Sequence, residues 1–182
     1  MTLALAWLRS RRLTMIAAAC AVLALAGMSA ADATLQLPGL RRSLPLSVVI
    51  VVVSALVVTT PLSNRFGGLE TSLPRARVDH ALAGAFTCGL AVLACLPVSA
   101  AAAGRFPWSP LLAIMTIAVQ AVTALGPLGW MPPTALSLVT LYVDFNNAEP
   151  IRSALDAVGL PALSTALVAC VLAYAAIGPR SS

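Results

Sequence analysis

The chain has 182 residues, of which 60% are hydrophobic and only 9% charged, and its mean hydropathy is +0.96. A water-exposed surface draws on roughly 25% charged residues, so a soluble globular protein is excluded and the expected partner is a lipid bilayer. The net charge of +5 comes from eleven arginines and no lysine; no basic run is interleaved with aromatics, which argues against a nucleic-acid partner.

About 20 apolar residues cross a bilayer as a helix. Six candidates follow one another: 13–31, 44–62, 81–103, 109–130, 131–145 and 160–178. The expected fold class is therefore all-α, a single polytopic transmembrane helix bundle over residues 1–182 with about six spans. The first candidate, within "LAWLRSRRLTMIAAACAVLALAGMSAADA", also has the basic start, apolar middle and small residues (Ser29/Ala31 or Ala31/Ala33) of a cleaved signal peptide. Its length favours a retained first helix. The second, "LPLSVVIVVVSALVVTTPL", is rich in β-branched residues and would read as strand in water. Lipid obliges the backbone to satisfy its own hydrogen bonds, and a helix is expected.

Between the second and third candidates lies "NRFGGLETSLPRARVDH", residues 64–80, with the only histidine and a cluster of both charge signs. Gly67 and Gly68 break the chain, Thr71 or Ser72 can cap a new helix, and Pro74 suits its first turn. The second half of the stretch is expected to extend the third span, with Arg75 and Asp79 paired four residues apart. Asp79 and His80 are adjacent and point about 100° apart on a helix, so they do not converge on one metal. No second histidine, HExxH, GxSxG or P-loop occurs, and no catalytic, metal or cofactor site is assigned. Two readings remain for the cluster: topogenic charge, or a docking surface carried by Glu70, Arg75, Arg77 and Asp79.

In the third span Gly84 and Cys88, extended by Gly89, form a small-residue face for close packing, and Pro97 is expected to kink it. Cys20, Cys88, Cys95 and Cys170 each sit in an apolar run without metal-site spacing and read as packing residues. The fourth span carries Thr116, Gln120 and Thr123 on one face, and the fifth carries Ser137, Thr140 and Asp144. Each stripe reads either as part of a polar path or as helix-to-helix hydrogen bonding. The junction "GPLGWMPP" leaves the fifth element as either a full span borrowing Leu128 to Pro133 or a re-entrant piece; a full span is expected. Asp144 falls at the end of that span, near the outer interface. Beyond it "NNAEPIRSALDAVG" reads as a loop and a short interfacial helix, with Ile151, Leu155 and Val158 on one face, Arg152 and Asp156 on the other, and Gly159 as its stop. Trp7, Trp108 and Trp130 lie near span ends, as interfacial anchors do.

With the N-terminus inside, the inner side carries Arg9, Arg11, Arg12, Arg65, Arg75, Arg77 and Arg180, and the outer side Arg41, Arg42, Arg105 and Arg152. The excess predicts cytoplasmic N- and C-termini. The layout resembles small six-span integral membrane proteins of GC-rich bacteria, permease-like or ABC-transporter-associated, at "PLSNRFGGLETSLPRARVDHAL" and "GPLGWMPP". The resemblance implies a plasma-membrane subunit of an exporter. Because the chain has no nucleotide-binding domain, it also implies a separate ATPase subunit, together with a second copy or another membrane chain. The alternative expectation is a non-transporting scaffold that recruits a partner to the membrane.

Overall fold

The computed structural model of the chain describes residues 13–29, 33–36, 43–62, 76–102, 106–147 and 150–177. They form α1 (Leu13–Ser29), α2 (Leu46–Leu62), α3 (Ala76–Ala101), α4 (Trp108–Leu125), α5 (Met131–Asn146), the short α6 (Pro150–Val158) and α7 (Leu160–Ile177). A two-residue antiparallel pairing of β1 (Thr34–Leu35) with β2 (Leu44–Pro45) is the only strand structure among the described residues. This pairing, with Leu46 N donating to Ala33 O at 3.0 Å, gives these described residues backbone partners outside any helix.

The all-α expectation therefore holds. Three helical stretches, Val78–Ala101, Trp108–Leu128 and Leu160–Ile177, are long and apolar enough to cross a membrane, while Thr14–Ser29 and Leu46–Val57 are apolar but shorter. The 16 residues of α5 extend about 24 Å at the rise of an α-helix.

The helix edges show which local signals dominate. Residues 76–80 are helical and run on into the third span, the extension ahead of 81 expected from the sequence; Asp79 in the first turn of α3 suits the positive end of the helix dipole. The continuation of that helix back to Thr71 lies outside the described residues. Pro97 is inside α3 and does not end it. α4 stops at Leu125 rather than 130, because Gly126 leaves the helical region and Gly126–Leu128 tighten into a 3₁₀ turn.

Contacts between helices fix which ends lie together. Tyr174 Oη donates to Leu62 O at 3.0 Å and the His80 ring lies 5.6 Å from the Tyr174 ring, which gathers the end of α2, the start of α3 and the end of α7. Gln120 Nε2 donates to Cys170 Sγ at 3.1 Å, so the end of α4 joins them, and the Gly126–Trp130 turn starts α5 there. At the opposite end, Gly27 lies against Val98 and Ile50, and Ser109 Oγ donates to Asp156 Oδ1. Successive long helices thus alternate in direction. Six helix segments running to and fro place the start of α1 and the end of α7 at the same end as the break between Leu62 and Ala76.

The core lies where α2, α3, α4 and α7 meet, around Val51, Ala55, Cys95, Val98, Met115, Val119, Val122 and Tyr174. α1 is attached to α3 through a smaller cluster of Ile16, Cys20 and Ala94. The small-residue face of α3 works as expected at Gly84, where a Cβ would lie 3.1 Å from Val171 of α7. Gly89 does not extend it, since a Cβ there would meet nothing within 4 Å.

Candidate functional site

Ser137, Thr140 and Asp144 on α5 share a crevice at the end of the bundle remote from the Leu62–Ala76 break. Val48, Val51 and Val52 of α2, Pro110 and Ile114 of α4, and Arg152 of α6 complete its walls. Its cavity volume is about 30 Å³, room for roughly two water molecules. The walls are mainly apolar. Three successive polar positions of α5 face them because residues three, four and seven apart stack on one side of a helix.

Asp144 is 5% exposed. A carboxylate this deep requires hydrogen bonds, and it finds them at the start of α6: Ile151 N donates to Oδ1 at 2.8 Å and Arg152 N to Oδ2 at 3.1 Å. These amides belong to the first turn, whose donors have no partner within the helix. Asp144 is therefore a cap supplied by a neighbouring helix, placed at the positive end of the α6 dipole. α6 is held at a second point by the Ser109–Asp156 hydrogen bond. Arg152 Nε stands 4.0 Å from Asp156 Oδ2 along the same helix, the face expected from their spacing. Gly159, at φ +84, ends α6 as expected; its N–H reaches Leu155 O at 3.3 Å in a left-handed turn that suits glycine.

The other members of the two stripes satisfy themselves. Thr116, Thr123 and Thr140 donate to the carbonyls four residues earlier at 2.7, 2.8 and 2.7 Å, and Ser137 to Pro133 O at 2.6 Å. This is the least demanding way to keep a hydroxyl in lipid. It leaves each oxygen an acceptor with its proton committed. Among the described residues Gln120 and Thr123 line a different, open groove between α4 and α7, with Ala124, Ala169, Cys170, Ala173 and Ile177.

Of the four docking candidates, Glu70 and Arg75 lie outside the described residues, as does the expected Arg75–Asp79 pair. Arg77 belongs to α3, and Asp79 is half-buried in its first turn, whereas His80 beside it is 2% exposed. The two point different ways, as adjacent helical positions do. The His80–Tyr174–Leu62 cluster was not foreseen. Its signal in the sequence is weak: a lone tyrosine near the end of one apolar run and a lone histidine at the start of another. The capping role of Asp144 was equally missed, because nothing local distinguishes an interfacial carboxylate from one that reaches the first turn of the next helix. Among the described residues no three His, Cys, Asp or Glu side chains gather as a metal site requires. Comparison of the chain with family models, curated proteins and solved structures finds no match.

Proposed function

We propose that the chain is a six-crossing subunit of a bacterial plasma-membrane exporter, with both termini cytoplasmic and a separate ATPase chain docked on residues 64–80. The observation that carries this reading is the alternation of helix direction. It brings the start of α1, the Leu62–Ala76 break and the end of α7 to one end of the bundle. In sequence, seven of the eleven arginines fall just before α1, between Leu62 and the first turn of α3, or after α7, the bias that a cytoplasmic face carries. α1, α2 and α5, at 17, 17 and 16 residues, are a few ångströms short of a full hydrocarbon core, a mismatch that local thinning accommodates. Glu70, Arg75, Arg77 and Asp79 would carry the docking through both charge signs. The α5 crevice would be the extracytoplasmic end of a path completed by another chain.

A second reading, a membrane scaffold that recruits a partner without moving a solute, is favoured by the same crevice. A space of about 30 Å³ and hydroxyls bonded within their own helices leave the crevice itself, among the described residues, too small to pass a solute.

One preparation tests both. A tagged full chain carrying Ser72→Cys is labelled in intact cells and then purified. Labelling from the cytoplasmic side only, with an ATPase recovered from the parent and lost when Arg75 and Arg77 are both changed to Ser, supports the exporter. Partners without an ATPase support the scaffold. Labelling of position 72 from outside overturns the shared topology.

A further inference from the structure

Gln120 stands apart from the other polar groups of the bundle. It is exposed on α4, twelve residues beyond Trp108, about 18 Å along the helix and so within the hydrocarbon of any membrane this helix crosses. Its one hydrogen bond among the described residues goes to a thiol, Cys170 Sγ, a weak acceptor. Lipid offers nothing to the amide oxygen or to its second N–H.

The surface around it is equally unusual. α7 is the least covered of the three long apolar helices: 22% of its window is buried, against 44% for α3 and 50% for α4. Its exposed side beside Gln120 is small rather than bulky, with Thr165, Ala169 and Ala173 spaced by four. Together with Ala124 of α4, the latter two line an open groove of about 500 Å³. Small residues let a second helix backbone approach closely; lipid tails need no such space.

We propose that this groove is the contact between two copies of the chain, related by a two-fold axis that brings the two Gln120 side chains within hydrogen-bonding reach. A primary amide carries one acceptor and two donors and is therefore complementary to itself. A two-fold contact requires that property, since the same patch serves both sides. The groove-lining residues, Gln120, Thr123, Ala124, Ala169, Cys170, Ala173 and Ile177, carry no charge, so no partner of opposite sign is called for. The inference rests on the membrane reading above, and its test is separable from that of the topology.

The full-length protein is reconstituted in phosphatidylcholine vesicles at graded protein-to-lipid ratios, and dimer is read by energy transfer between labelled copies. Wild type is expected to dimerise. Gln120→Leu should lower the dimerisation constant roughly tenfold, and Ala173→Leu, which fills the groove, should do so by at least as much. Leu93→Ala on the exposed side of α3 should leave it unchanged. A monomer at every ratio, or a dimer that Gln120→Leu and Ala173→Leu leave intact, overturns the proposal. So does a groove found occupied by a different membrane chain on cross-linking from Ala169→Cys in cells. Reversed labelling at position 72 would sink the orientation while leaving these readings untouched.

Discussion

Asp144 and Gln120 are the two most polar side chains on the faces of α4 and α5, and the fold treats them in opposite ways. The carboxylate is more expensive to desolvate, and it is buried with each oxygen bound to a backbone amide. The amide is easier to accommodate, and it is left facing outward with a thiol for company. A polar group that is fully met within the chain is part of the architecture. One that is met only by a thiol is, on the dimer proposal, addressed to a second copy of the chain.

The sharpest way to break this contrast is Asp144→Ala. Two amides at the start of α6 would lose their acceptors, and hydrogen bonds to a charged group contribute about 1.5–3 kcal/mol each. A loss of about 3 kcal/mol is expected, read as a lower unfolding midpoint in detergent and faster proteolysis between residues 147 and 160. Asp144→Asn keeps one acceptor oxygen, and roughly half the loss is expected. Equal effects from Asp144→Ala and Gln120→Leu would remove the distinction.

Tyr174→Phe comes next. It deletes the hydrogen bond that joins α7 to the last turn of α2 and leaves the Leu62 carbonyl without that donor. About 1–2 kcal/mol of stability should be lost by the same melt, with no change in dimer fraction. Gln120→Leu should behave inversely, shifting monomer stability by less than about 1 kcal/mol, since only one weak bond is removed. Smallest of all, Thr116→Val and Thr140→Val should each fall within about 0.5 kcal/mol of wild type. Their hydroxyls bond within their own helix, and valine keeps the branched shape. A large loss of stability at either position would mean that the stripes bond between helices after all.

The helices were legible because lipid-facing segments announce themselves by length and apolarity. The edges of α2, α5 and α7 fall within two residues of the expected ones, and Gly159 marked the end of α6 through its need for a positive φ. Where expectation and structure part, the cause is a contact remote in sequence. The α5 stripe could be read as one face from its spacing. That it lines a crevice with α2, while the α4 stripe opens beside α7, depends on the order in which helices pack, and periodicity carries no such order. The role of Asp144 depends on the first turn of α6 lying beside the end of α5. Gly84 reads as a close-packing residue from composition, but only the position of Val171 separates it from Gly89.

The turn between α4 and α5 has a mechanical consequence. A single methyl added at Gly129 would come within 2.5 Å of the Val122 Cα, so the elbow is folded tight onto the helix before it and only a residue without a side chain fits there. A bulky side chain at that position would have to push the turn off α4, resetting the angle at which α5 leaves it.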